Sequence, residues 1–299
     1  MPSSPGSATG NNDHVGRHRQ TCPRAGRLSV PGDALAGAAA TGSLGARTAG
    51  LSAAAVCLYW AGMAANDWAD RDLDAQERPE RPIPSGLVTP GTALGVAASL
   101  SAAGLVLAGL AGGRRALGVA VPLTGMIWWY DTRLKATGAG PAAMAACRGL
   151  DVLLGASSRP GRRAAVPALT IAAHTYTVTA LSRREVSGGS PLLPAATLAG
   201  TATIAAIPAA APYRGHPWWR WVLRGGLAGW YAASYGPAQV RALGEPSANN
   251  MRAAVGAGIT SLAALQGALI ARSGAPAAGA AVAAAAPVGR RLASWVSPT

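Results

Sequence analysis

Residues 66–86 read NDWADRDLDAQERPERPIPSG, and this stretch decides how the rest of the chain is interpreted. It holds six of the twelve carboxylates of the chain within fourteen residues, although the sequence before it is apolar. Asp67, Asp70 and Asp74 are spaced i, i+3 and i+7, so on a helix they share one face. The prolines of RPERPIPSG then stop that helix and stiffen the connection to the next apolar segment.

Around this stretch the chain has the composition of a membrane protein. Half of its 299 residues are apolar and only 13% are charged, whereas soluble domains carry about 25% charge. Several apolar segments approach the roughly 20 residues that a membrane-spanning helix needs. These segments predict an all-α, polytopic membrane bundle of about nine transmembrane helices, at 30–46, 49–65, 87–112, 116–130, 141–157, 164–181, 191–212, 218–240 and 253–271.

The two ends of the chain differ from this apolar middle. Residues 1–27 are polar and arginine-rich, and we expect a disordered basic tail there. Residues 28–272 form the predicted transmembrane domain. Residues 273–299 form an alanine-rich C-terminal segment, in which 275–288 is either an extra helix or a surface segment.

The net charge of +14 comes almost entirely from arginine. The arginines stand singly or in pairs between apolar runs, without the basic face that nucleic-acid binding requires, so we expect no nucleic-acid partner. If the N-terminus is cytoplasmic, thirteen basic residues lie on the cytoplasmic side and nine on the other. This bias has the sign expected for that orientation, and it predicts a cytoplasmic acidic stretch.

The acidic stretch has two physical interpretations. It is a solvated loop neutralised by Arg71, Arg78 and Arg81, as acidic runs usually are, or it is a metal site. Because the acids begin in the last turn of a predicted span, where carboxylates are costly and usually functional, we favour the second. Mg²⁺ commonly binds one or two carboxylates together with phosphate oxygens, so the spacing suits a diphosphate held through magnesium.

The same residues resemble a known family. The pattern NDxxDxxxD followed by RPxRPIPSG resembles the UbiA superfamily of intramembrane prenyltransferases. VPGDALAG at 30–37, YDTRLK at 130–135 and PAAMAACRGLDVLLGAS at 141–157 are similar to other blocks of that family. The resemblance implies a nine-helix bundle with a central cavity open to lipid. It also implies transfer of a prenyl group from a prenyl diphosphate to a small acceptor, often aromatic.

By this resemblance, the first aspartate-rich motif binds Mg²⁺ and diphosphate through Asn66, Asp67, Asp70 and Asp74. Asp67, Asp70, Asp74 and Lys135 are then the expected catalytic residues. Lys135 is alternatively a membrane-interface anchor. The implied substrate-binding residues are Asn66, Arg78, Tyr130, Asp131, Arg148, Tyr176, Arg183, Arg184 and Glu185.

The second aspartate-rich motif of the family is altered here. The matching residues 174–189 read HTYTVTALSRREVSGG, and of the expected positions His174, Ser182 and Glu185 only Glu185 is acidic. This indicates a variant branch, in which Arg183 and Arg184 either bind phosphate directly, as guanidinium groups do, or simply cap a helix.

Three other side chains have two interpretations each. Arg148 either pairs with Asp151, as intramembrane charges usually do, or binds phosphate. Tyr130 either belongs to an aromatic belt at the membrane interface or presents a π-face to an allylic cation, and Tyr176 is a similar candidate.

The leading hypothesis is therefore an integral membrane prenyltransferase that ionises a prenyl diphosphate with Mg²⁺ on the cytoplasmic side. One alternative is a terpene cyclase of the same superfamily, in which the prenyl chain attacks itself. The other is a membrane carrier or scaffold without catalysis, for which Asp70→Asn would leave function intact.

Overall fold

The computed structural model describes residues 30–159, 161–210 and 217–285. The predicted N-terminal tail and the last fourteen residues lie outside these ranges. The helices are α1 (Val30–Ala40), α2 (Ala46–Ala69), α3 (Arg71–Glu77), α4 (Pro90–Trp129), α5 (Gly140–Ala156), α6 (Ala165–Ser182), α7 (Leu192–Ala209), α8 (Trp218–Gly244), α9 (Ala248–Arg272) and α10 (Pro276–Ala285). A π-helical turn, Tyr130–Leu134, extends α4, and a 3-10 turn, Arg162–Ala164, precedes α6.

The prediction of an all-α membrane bundle is confirmed. The described ranges contain no β-strand. Five of the described helical segments are long and apolar enough to cross a membrane, namely those at 46–69, 90–134, 162–182, 192–209 and 248–272. The predicted number of nine is approximate, because α1 and α5 are shorter than these segments and α8 carries several arginines.

Helix α4 consists of two antiparallel halves. Gly113 has φ 64° and ψ −153°, a backbone conformation that costs glycine little and other residues much. The chain reverses there, so that the indole of Trp128 donates a hydrogen bond to the hydroxyl of Ser101 at 3.1 Å. The two apolar segments predicted at 87–112 and 116–130 are these two halves.

The helices form two groups that share α1 and α5. One hydrophobic cluster joins α1, α2, α4 and α5, and a second joins α1 and α5 to α6–α9. Small residues allow the closest contact, because a Cβ atom on Gly155 of α5 would collide with the backbone of Ala34 in α1. Membrane helices associate through such small residues, since lipid provides no hydrophobic drive for packing.

This arrangement brings several helix ends together at one end of the bundle. The C-terminus of α2, the π-helical turn and the N-terminus of α5 are neighbours there. Arg183, directly after α6, donates a hydrogen bond to the carbonyl oxygen of Thr137 at 2.6 Å, so α6 ends at the same place. We call this region, where Asp67, Asp70 and Asp74 lie, the aspartate end.

Candidate active site

The three motif aspartates lie at the junction of α2 and α3. Helix α2 ends at Ala69, and Asp70 keeps helical dihedral angles between the two helices. The backbone N–H of Asp70 donates to the carbonyl of Asn66, and that of Asp74 donates to the carbonyl of Asp70. The helical spacing predicted from sequence therefore persists through a slight break, and the carboxylates stay on one side of the junction.

Arg81 joins two of these carboxylates. Its Nη1 lies 3.1 Å from Asp67 Oδ1 and 3.1 Å from Asp74 Oδ2. These two oxygens are therefore at most 6.2 Å apart, the sum of the two distances. Asp74 is 4% exposed, and a buried carboxylate requires such a charged or hydrogen-bonded partner. The segment RPERPIPSG thus folds back over the motif.

Lys135 neutralises the third carboxylate. Its Nζ lies 2.6 Å from Asp70 Oδ1 and 3.0 Å from the side-chain oxygen of Asn66. The π-helical turn supplies this ammonium group, since the N–H of Lys135 donates to the carbonyl of Tyr130 at 3.0 Å. Single π-helical turns of this kind occur frequently at functional sites.

Asp131 and Tyr130 lie in the same turn. Asp131 is buried, and its Oδ2 is 3.4 Å from where a Cβ atom on Gly62 of α2 would stand. Lys135, Asp70 and Asp67 are the charged groups that act on it. The site is therefore rich in carboxylates, with Lys135 at its centre.

The loop after α6 meets this turn through Arg183. Its Nη1 donates to the carbonyl oxygens of Thr137 at 2.6 Å and Lys135 at 3.4 Å. The neighbouring Arg184 is exposed, and its side chain packs over Gly189. Arg183 therefore holds the backbone of the turn that carries the catalytic lysine candidate.

Glu185 faces a different helix. Its carbonyl oxygen accepts a hydrogen bond from Arg252 of α9 at 3.2 Å. Partial burial raises the pKa of the Glu185 carboxyl, and the nearby Arg252 guanidinium partly offsets that rise. The one acidic residue left in the second motif thus lies beside Arg252.

Three other predicted site residues, Arg78, Arg148 and Tyr176, have different surroundings. Arg78 is exposed at the C-terminus of α3, and its side chain has no partner among the described residues. The Nε of Arg148 pairs with Asp33 of α1 at 2.9 Å. Gln266 of α9 donates to the other Asp33 oxygen at 2.6 Å. Tyr176 is half-exposed and lines a groove between α6 and α7.

Two charged residues that pair with predicted site residues, Arg81 and Asp33, were not themselves among the predicted site residues. Arg81 stands in the same acidic stretch as Arg78, and nothing in their spacing distinguishes the two. Asp33 is a lone carboxylate in an apolar helix, and that is a usable signal, because such a group almost always faces the interior of a bundle and has a partner.

The donor atoms fit a hard divalent cation. Asn66, Asp67, Asp70 and Asp74 offer only oxygen ligands, which Mg²⁺ prefers. Within the described ranges, no three acidic, histidine or cysteine side chains form an assembled metal site. The guanidinium group of Arg81 lies between Asp67 and Asp74 instead, and the ammonium group of Lys135 lies between Asp70 and Asn66.

Comparison with known proteins gives relatives that are named digeranylgeranylglyceryl phosphate synthase. Digeranylgeranylglyceryl phosphate synthase of Methanopyrus kandleri is 38% identical over 116 residues, or 39% of this chain and 41% of that protein. The synthase of Methanospirillum hungatei is 36% identical over 34% of this chain and 37% of that protein. The matches thus span about two fifths of the length of these relatives.

Solved structures and a family model extend the comparison over more of the chain. A UbiA homologue from Aeropyrum pernix has a TM-score of 0.63 at 18% identity, covering 82% of this chain and 96% of that one. A structure described as digeranylgeranylglyceryl phosphate synthase has a TM-score of 0.61 at 15% identity over 84% and 96%. These likenesses show the fold. The model of the UbiA prenyltransferase family matches residues 29–238. The chain belongs to the UbiA prenyltransferase family.

Proposed function

We propose that this chain moves a prenyl group from a prenyl diphosphate to a small acceptor at the aspartate end. The observation that carries the proposal is the convergence of three carboxylates with the cations of Arg81 and Lys135. A purely structural acidic loop would be solvated, whereas Asp74 is buried and Lys135 comes from a different helix.

In this proposal the two cations exchange partners when the donor binds. Arg81 and Lys135 neutralise the motif carboxylates in the absence of substrate. A diphosphate brings negative charge that would be repelled by three free carboxylates. Mg²⁺ held by Asn66, Asp67, Asp70 and Asp74 would supply Lewis-acid stabilisation of the diphosphate. Arg81 and Lys135 are then released to donate to phosphate oxygens, which are strong acceptors.

The reaction breaks the bond between the prenyl carbon and the diphosphate oxygen, and the electron pair stays on the oxygen. Lys135 and Arg81 stabilise the negative charge that grows there, and such preorganised charge is usually the largest catalytic contribution. The acceptor then forms a bond to the prenyl carbon and loses a proton. The apolar helices exclude water, which would otherwise capture the prenyl group.

Arg183 has a positioning role in this scheme. Because Arg183 binds the backbone carbonyls of Lys135 and Thr137, it fixes the position of Lys135 relative to Asp70. This replaces the direct phosphate contact that the sequence predicts for Arg183. Glu185 lies beside Arg252, so we propose a single metal site, formed by the first motif.

The acceptor and the orientation are further parts of the proposal. The matched relatives are named for the synthesis of digeranylgeranylglyceryl phosphate, so a prenylated glyceryl phosphate is the first acceptor to test, beside aromatic acceptors. We propose that the aspartate end is cytoplasmic, and the excess of basic residues on that side of the chain supports this.

The test is product identification with the purified full chain in lipid. Labelled prenyl diphosphates of several lengths are incubated with a prenylated glyceryl phosphate, with aromatic acceptors or with no acceptor, each with and without EDTA. We expect an acceptor adduct that disappears with EDTA and with Asp74→Asn. A cyclic hydrocarbon formed without acceptor would identify a cyclase instead, and an unchanged donor under all conditions would contradict the proposed transfer.

A further inference from the structure

A groove of about 820 Å³ lies between α6 and α7, away from the aspartate end. Its size is within the roughly 300–1,000 Å³ of typical ligand sites. Leu169 and Tyr176 on its wall are 71% and 50% exposed. The opposite face of α6, with His174 and Ile171, packs into the bundle. The groove therefore opens on the outer face of the helices, toward lipid.

The groove has an apolar wall and one charged residue. Val166, Ala173, Ile204 and Ile207 are among the apolar residues that line it, and Arg272 is the only charged residue among the described residues of its lining. The threonine hydroxyl groups in the wall donate to carbonyls of their own helices, so these groups need no ligand; they belong to Thr170, Thr177 and Thr203.

Arg272 lies at one end of this groove. It is the last residue of α9, Val166 is near the start of α6, and Ile207 is near the end of α7. These are the helix ends remote from the aspartates. The Nε of Arg272 is buried and has no hydrogen-bond partner among the described residues. A buried polar group of this kind requires an acceptor.

The dimensions match one leaflet of a bilayer. Val166 and Thr177 are eleven residues apart on α6, which corresponds to about 16 Å at 1.5 Å per residue. This is about half of the roughly 30 Å hydrocarbon core. An acyl chain that starts at Arg272 therefore reaches the middle of the membrane along the groove. Basic pockets between membrane helices bind lipid headgroups in this way.

We infer that this groove binds one anionic phospholipid from the leaflet opposite the aspartate end, with its phosphate on Arg272 and one acyl chain between α6 and α7. The inference does not depend on the proposed transfer reaction, since none of the described residues that line the groove pairs with Asp67, Asp70 or Lys135.

The test measures lipid retention by native mass spectrometry of the purified full chain in detergent. Phosphatidylglycerol and phosphatidylcholine with identical acyl chains are added separately. We expect one phosphatidylglycerol per chain and weaker retention of phosphatidylcholine. Arg272→Gln should weaken phosphatidylglycerol binding about tenfold, the effect of losing one charge-assisted hydrogen bond, whereas Arg272→Lys should retain most of it.

A second variant fills the groove and leaves the charge in place. Ala173 is exposed in the groove, so Ala173→Phe should exclude the acyl chain and abolish retention without disturbing the core. The matched controls are Arg115→Gln, an exposed arginine at the same end of the bundle, and Ala102→Phe, an exposed alanine on α4. Both controls should retain phosphatidylglycerol as the unaltered chain does.

Three outcomes would overturn the inference. The first is equal retention of the two lipids. The second is undiminished phosphatidylglycerol binding by Ala173→Phe, which decides the matter even if Arg272→Gln fails to fold. The third is a dimer that Ala173→Phe converts to a monomer, since a second copy of the chain would then cover the groove.

Discussion

Replacing Arg81 with methionine tests the proposed exchange of partners most directly. The change keeps an unbranched apolar stem and removes the guanidinium group, which lies 3.1 Å from both Asp67 and Asp74. Asp74 is buried, so the charge-assisted hydrogen bond to it contributes about 1.5–3 kcal/mol. Asp67 is 45% exposed, so its ion pair adds only about 0.2–1 kcal/mol.

These contributions predict opposite effects on two ligands. Mg²⁺ no longer competes with Arg81 for the two carboxylates. The two contributions together amount to at least about 1.7 kcal/mol, so substrate-free protein should bind Mg²⁺ at least roughly 20-fold more tightly. Prenyl diphosphate loses one charge-assisted hydrogen bond, so its KM should rise roughly 10- to 100-fold. The assays are calorimetric Mg²⁺ titration of the purified chain and steady-state kinetics at saturating Mg²⁺.

Arg133→Met is the matched control, because Arg133 is an exposed arginine at the aspartate end whose side chain has no hydrogen-bond or ion-pair partner among the described residues. It should leave both constants within about twofold of the unaltered chain, as surface substitutions usually do. The reasoning would be refuted if the two variants had equal effects. It would also be refuted if Mg²⁺ and diphosphate affinities fell together in Arg81→Met.

Three further predictions concern the other polar contacts. Lys135→Met should lower kcat by a factor of roughly 10², whereas Lys135→Arg should retain part of the activity. Rapid-quench measurement of the rate of diphosphate release tests both variants. An unchanged rate in Lys135→Met would exclude Lys135 from catalysis. Arg183→Met should slow turnover less than Lys135→Met does, because Arg183 holds only the backbone of the turn at 135–137. The backbone amides of residues 135–137 should exchange hydrogen faster in this variant than in the unaltered chain. Equal exchange rates in the two proteins would exclude the positioning role of Arg183. Arg148→Met should destabilise the chain by about 3–5 kcal/mol, since Asp33 is left buried without its cation. Adding Asp33→Leu to that variant should recover part of the lost stability, as measured by thermal unfolding in detergent. A double variant no more stable than Arg148→Met would argue against the ion pair.

Much of the fold follows from local sequence. Alanine has the highest helix propensity, and in a membrane each backbone polar group must be satisfied within the helix, so the apolar alanine-rich segments could only be helices. The reversal at Gly113 lies in the gap between two predicted segments. The break at Asp70 was not predicted, because Asp67, Asp70 and Asp74 fit one continuous helix equally well.

The sites of individual side chains were harder to predict. The acidic motif was identifiable because its spacing lies within a few helical turns. Arg78 and Arg81 could not be ranked, since only the fold of the RPERPIPSG segment turns one toward the carboxylates. From the sequence, Arg148 either pairs with Asp151 on its own helix or binds phosphate, whereas the fold of α1 brings Asp33 to it.

The sequence alone determined that this is a helical membrane protein of the UbiA kind with an acidic motif at a helix end, because hydropathy and motif spacing are properties of neighbouring residues. Only the tertiary structure decided which cations meet the carboxylates, that Arg183 binds a backbone turn, and that Tyr176 faces an outer groove. Lys135 and Asn66 are 69 positions apart in the chain, and a contact over that separation depends on how helices pack. That packing is set by close contacts of small residues such as Gly155 and Ala34, which leave no distinctive pattern in a chain so rich in glycine and alanine.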